Sequence, residues 1–110
     1  MTKIPLGSLS ITDWQRIVTN WALSKGFTWT RKDIDTMLLR TRSEISEASE
    51  AIRDNDVEGF GEELADTFIR FVNLCEVWGI NLEEEVIKKT QQKRRKALLA
   101  WTPQKLKRST

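Results

Sequence analysis

The chain contains no histidine and no tyrosine, and a single cysteine. A Ser-His-Asp or Cys-His catalytic unit is therefore excluded, and so is a His-ligated zinc site. One Cys permits no internal disulfide. Cys75 falls in the apolar run FVNLCEVW and reads as a small buried hydrophobe. No apolar stretch approaches the ~20 residues that span a bilayer. The opening MTKIPLGSLS lacks the long apolar region of a secretory signal. No membrane partner is expected, and a cytoplasmic location is the default expectation. Alternating Val, Ile and Thr, the pattern of strands, is also missing. What is present is an ordinary globular mix, 39% apolar and 31% charged, in 110 residues. That is one domain, 1–110, large enough for a core without staples, with loose termini expected at 1–10 and 103–110.

The whole chain reads as helix. Thr12-x-x-Gln15 looks like a capping box that opens a helix to about Ser24, with Trp14, Ile17, Val18, Trp21 and Ala22 at helical spacing. Gly26 ends it. Thr30 followed by Asp33 suggests the next cap, and a second helix is predicted over 31–53. At about 100° per residue its Leu38, Ile45 and Ile52 form a stripe. Asp54-Asn55-Asp56 makes the turn. A third helix is predicted over 57–78, with Phe60, Leu64, Phe68, Phe71, Cys75 and Trp78 as its stripe. Gly79 suits the position just past its end. Asn81 with Glu84 opens the last helix, which runs to about Trp101, where Pro103 stops it. The expected architecture is a four-helix, all-α domain with short loops.

Beside the third-helix stripe stands a polar column of Glu63, Asp66, Arg70 and Asn73. Glu63-x-x-Asp66 there and Glu44-x-x-Glu47 in the second helix each place two carboxylates one turn apart on one face. Four carboxylates on consecutive helices make an oxygen-rich site for a hard divalent cation, Mg²⁺ or Mn²⁺. Either pair alone is a weak motif, since a solvated face also carries Glu. Their position at the edge of the apolar stripes, with Arg70 one turn beyond to pair with them or hold a phosphate, favours a site. If each helix buries its stripe inside the subunit, the acidic edge faces outward. The last helix or a second subunit is then needed to cover it.

Five Trp are many for this length. Trp14, Trp21 and Trp78 read as core, and Trp101 as a clamp on the last helix. Trp29, in the loop with Phe27, either seals the end of the bundle or stacks on a nucleobase. From Lys88 to Arg108 the chain is basic, without an acidic residue. That run is a solvated face, a phosphate site or a nucleic-acid patch.

The two acidic pairs, their order and spacing, and the turn Gly79-Ile80-Asn81-Leu82-Glu83 resemble the MazG-like nucleoside triphosphate pyrophosphohydrolases over about residues 34–96. Glu44 and Glu47 match the family's first pair, with Glu50 as a frequent third acid. Glu63 and Asp66, within EELAD, match the second. Ser46 stands where Gly is common, and Arg70 where an aromatic is common. The resemblance implies a four-helix bundle-like MazG-type domain, oligomeric as a homodimer or homotetramer. It implies Mg²⁺-dependent cleavage of a (d)NTP to (d)NMP and pyrophosphate. Glu44, Glu47, Glu63 and Asp66 would be both metal ligands and catalytic residues. Arg70, Lys89 and Lys93 would hold phosphates, and Trp29 and Phe27 would sit at the base. Nucleic acid is then not the expected partner. The alternative is a non-enzymatic helical module that binds nucleic acid or protein through the basic C-terminal helix. Another alternative is a hydrolase that removes a terminal phosphate, which differs in releasing orthophosphate.

Overall fold

The computed structural model describes residues 5–100, with side chains to residue 96. Trp101, Pro103 and the expected loose ends at 1–4 and 103–110 lie outside the described residues. Four helices follow one another: α1 (Ile11–Ser24), α2 (Ile34–Arg53), α3 (Val57–Trp78) and α4 (Leu82–Ala100). No strand occurs among the described residues, and the all-α expectation holds.

Local chemistry sets the boundaries. Ser10, not Thr12, caps α1: its hydroxyl accepts the Asp13 N–H at 3.1 Å, and the Asp13 carboxylate accepts the Ser10 N–H at 3.0 Å. Thr12 and Gln15 have other partners. The Thr12 hydroxyl donates to Asn81, and the Gln15 amide donates to Glu76 Oε1 at 3.1 Å and to the Ile80 carbonyl at 2.9 Å. Thr30 and Asp33 form the expected box, although one 3-10 turn, Arg31–Asp33, precedes α2. Asp56 caps α3 by accepting the Gly59 N–H at 2.9 Å. Gly79, at φ 91°, ends α3 in the left-handed region that favours glycine. Asn81 caps α4 by accepting the Glu84 N–H at 2.9 Å.

α2 and α3 form an antiparallel hairpin around the turn at 54–56, and α1 packs across α3. A cluster of Met37, Leu74 and Cys75, with Trp29, Ile34, Val77 and Leu82 against it, closes one end of the bundle. Cys75 is the buried hydrophobe its surroundings implied, and burial raises its thiol pKa. Among the described side chains, α4 is tied down at its start. There Gln15, almost wholly buried, accepts the Leu82 N–H at 2.8 Å, and Glu83 accepts the Ile11 N–H at the positive end of α1. From Glu84 to Lys96 every residue of α4 is exposed. No helix among the described residues is long and apolar enough to cross a membrane.

The packing corrects one expectation. The α2 stripe is outside: Leu38, Ile45 and Ile52 are about half exposed, as is Leu64 of α3, with Phe68 and Phe71 only slightly less so. The faces that α2 and α3 turn inward carry Met37, Thr41, Glu44 and Ala48, and Val72, Asn73, Leu74 and Cys75. Glu44 is therefore turned to the inner side of the same chain and Glu63 is partly buried, while Asp66 and Glu47 stay exposed. Small and polar residues on this inner side let α1 approach. The bulky apolar residues line an open groove between α2 and α3 on the other side. Trp21 is also not core, at 57% exposed. Trp78 is partly exposed beneath the Arg31 guanidinium, and Trp14 is half-buried, edge-on to Phe68.

Candidate active site

A pocket of about 300 Å³ opens between α1, the loop after it, α2 and α3. α1 contributes Val18, Trp21 and Ala22, and the loop contributes Phe27 and Trp29. Arg40 and Glu44 come from α2, and Asp66, Ile69, Arg70 and Asn73 from α3. The α3 residues are spaced three, one and three apart, so they form one column down the helix. This is the polar column read from the sequence. Asp66 and Asn73, seven residues apart, are separated by two turns, about 10 Å. The pocket thus has an acidic end and an aromatic end.

At the acidic end, one carboxylate oxygen each from Glu44, Glu63 and Asp66 lies within 4.8 Å of the others. The electrostatics follow from crowding. Burial alone would raise the Glu44 carboxyl, but the hydrogen bond from Arg70, helped by contacts with Glu63 and Glu47, brings it below its ordinary value. The Arg70 Nε donates to Glu44 Oε1 at 2.8 Å. Glu63 has no such cation. Its hydrogen bonding with Glu44, then desolvation, then its contact with Glu47 and the two neighbouring charges push it up to about 7. Protein groups alone hold these carboxylates together only with a shared proton. Glu63 Oε2 is buried and has no hydrogen-bond partner. An orphaned oxygen among converging carboxylates, short of positive charge, fits a hard divalent cation. Glu44, Glu63 and Asp66 are the residues that would hold it. Glu47 is exposed, with its carboxyl beside Glu44 and Glu63.

At the aromatic end Phe27 and Trp29 stack, with ring centres 6.0 Å apart and planes 5° from parallel. Arg40 lies 5.2 Å from the centre of the Trp29 ring. Trp29 both packs on the core cluster and lines the pocket, so the two readings of it are not exclusive. Trp21 stands at the same end. Its helical spacing hid this, because a core residue and a pocket-lining residue on one helix face share the same period. Arg40 was likewise not separable from surface polar residues by spacing alone, whereas Asn73 belonged to the polar column read from the sequence. Lys89 and Lys93 lie on the exposed part of α4 and do not line this pocket.

The sequence of residues 32–97 matches the model of the MazG nucleotide pyrophosphohydrolase domain, which covers more than half of the chain. The chain belongs to that family. No curated protein and no solved structure matches it. Membership implies a hydrolase acting on nucleotide pyrophosphate bonds, and the three converging carboxylates lie within the matched segment on α2 and α3.

Proposed function

We propose that this chain hydrolyses nucleoside triphosphates between the α and β phosphates, releasing a nucleoside monophosphate and pyrophosphate with Mg²⁺ (or Mn²⁺) as cofactor. The observation that carries this reading is the convergence of Glu44, Glu63 and Asp66, two of which, Glu44 and Asp66, line one end of a pocket whose other end is aromatic. A divalent cation bound by these carboxylates would neutralise phosphate charge and acidify a water enough for it to attack at neutral pH. The chain's own residues do the rest. With no His available, a carboxylate of the Glu44, Glu47, Glu63 group accepts the proton of the attacking water. Arg70, oriented by Glu44, offers its remaining N–H groups to phosphate oxygens and offsets charge that grows on the leaving pyrophosphate. Phe27, Trp29 and Trp21 give the base an apolar surface to stack on, and Arg40 stands between base and phosphates.

The working form in this reading is a homodimer, or a homotetramer made of two such dimers, joined through the exposed face of α2 and α3. Leu38, Ile45 and Ile52 are spaced by seven, and the exposed Leu64, Phe68 and Phe71 by four and three. That is the spacing of a helix–helix seam. A second copy laid on this face by a two-fold axis completes a four-helix bundle and covers the groove lined by Leu38, Ile45, Leu64, Phe68 and Phe71. The basic α4, free of its own body beyond Glu84, is then available to bring Lys89 and Lys93 towards a phosphate group.

The test is incubation of the purified protein with a panel of (d)NTPs, with Mg²⁺ and with EDTA, followed by ion-exchange analysis of products. Monophosphate plus pyrophosphate, formed only with metal, is the expected result. Orthophosphate would redirect the reading to terminal-phosphate hydrolysis. No turnover by folded protein would favour a binding module acting through α4, whose nucleic-acid affinity should then fall steeply with salt.

A further inference from the structure

Asn73 is 9% exposed, yet it lines both the main pocket and the small adjoining recess formed with Trp29, Met37, Arg40 and Arg70. Its Oδ1 accepts a hydrogen bond from the Thr19 hydroxyl of α1 at 3.0 Å. Among the described residues its Nδ2 has no protein acceptor. Held on one side by Thr19 and open to the pocket on the other, the carboxamide offers a directional donor to whatever enters the recess. Asn73 sits two turns from Asp66 and shares the recess with Trp29 and Arg40 as well as Arg70, and the aromatic neighbour favours the base over the phosphates as the group it meets.

We infer that the Thr19–Asn73 pair reads the nucleobase, with the Asn73 Nδ2 donating to a base carbonyl and Thr19 holding the amide in that orientation. This deepens the pyrophosphohydrolase reading by naming a substrate class. Bases with a keto group at the buried edge, uracil, thymine and guanine, are accepted over cytosine and adenine, whose amino groups at the equivalent position would oppose a donor. A donor facing a donor leaves both unpaired in a dry recess, and that penalty makes a polar reader selective.

Binding of α,β-methylene (d)NTP analogues by calorimetry, with Mg²⁺ present, reads this pair whether or not the chain hydrolyses them. Turnover of the ordinary nucleotides is measured in parallel. Wild type should bind keto analogues about tenfold or more tightly over amino ones, the effect of one hydrogen bond and its mismatch. Thr19→Val, which frees the amide to rotate, should flatten the ranking, and Thr19→Ser should restore it. Asn73→Asp, an acceptor of the same shape, should invert it in favour of cytosine and adenine. An unchanged ranking in Thr19→Val and Asn73→Asp overturns the inference. So does a change confined to ribose against deoxyribose, which would place the pair at the sugar. Keto-selective binding without turnover would leave the base-reading pair standing and defeat the pyrophosphohydrolase reading instead.

Discussion

Metal binding should be coupled to a single proton, and the size of the coupling follows from the carboxylate cluster. Glu63 is pushed up to about 7 by its hydrogen bonding with Glu44, by desolvation and by Glu47. A cation held by Glu44, Glu63 and Asp66 needs all three ionised, so it must displace that proton. With one group at about 7, Mg²⁺ should release roughly 0.9 proton at pH 6, about half at pH 7 and about 0.1 at pH 8. The apparent Mg²⁺ affinity should therefore be about tenfold weaker at pH 6 than at pH 8. The same shift acts on stability. In the folded chain Glu63 holds its proton more tightly than in the unfolded chain. Its contribution is thus fully present below the ordinary value of 4.5 and is lost as pH rises to about 7. Glu44, shifted down, contributes in the opposite sense, but only where pH falls below its ordinary value of 4.5, outside this window. Metal-free protein should lose stability from pH 5 to pH 7.5, and the rise in Tm on adding Mg²⁺ should grow over the same range. Calorimetry at each pH, in two buffers of different ionisation enthalpy, counts the protons directly. Equal affinity at pH 6 and pH 8 with no proton released would refute the reasoning, and so would full pH dependence surviving in Glu63→Gln.

Other outcomes follow from the same geometry. Glu47→Gln and Asp66→Asn should each abolish turnover while the helical circular dichroism is unchanged, because both side chains are exposed and neither supports the core; turnover retained in both would remove the carboxylates from the chemistry. Arg70→Met should cost about 1–2 kcal/mol in urea denaturation, a charged hydrogen bond to a buried carboxylate discounted for the partial exposure of Arg70. The penalty should largely vanish in a Glu44→Gln background, and a penalty of the same size there would mean that the pair is not the cause. Light scattering after size exclusion should give the proposed dimer for the wild type and a folded monomer for Phe68→Glu or Ile45→Glu; a monomeric wild type, or a mass unchanged by either substitution, would show that this face is not the interface.

The helices were legible because their signals are local. Thr30 with Asp33, Gly79 and Asn81 each act within a few residues of themselves, and α3 begins and ends where they and the Asp54–Asp56 turn place it. The acidic pairs and the polar column Glu63, Asp66, Arg70 and Asn73 were legible for a related reason, since spacing on one helix fixes which residues share a face. Long-range partners carried no such mark. The N-cap of α1 moved to Ser10 because Gln15 is used 61 to 67 residues away, on Glu76, Ile80 and Leu82. Arg40 entered the pocket only because the loop after α1 brings Trp29 over α2.

The orientation of the stripes is the most instructive mismatch. Periodicity states that Leu38, Ile45 and Ile52 lie together, and that Glu44 lies about 90° away, but it does not say which of the two faces meets α1. If the apolar stripes faced α1, the carboxylates would stand in water. Their mutual repulsion would then be screened, Glu63 would titrate near its ordinary value, and an incoming cation would have no closed pocket to enter. With the acidic edge turned inward, α1 and the aromatic loop roof it, and Glu63 is raised and one of its oxygens left orphaned. The cost is an exposed apolar face on the opposite side, along Leu38, Ile45, Ile52, Leu64, Phe68 and Phe71. Among the described residues, α1 packs against the α2–α3 hairpin and α4 is exposed from Glu84 to Lys96, so none of them covers the apolar face. Site and assembly are then one problem in the proposed reading: α1 is used on the acidic face, and a second copy is the cover proposed for the apolar one.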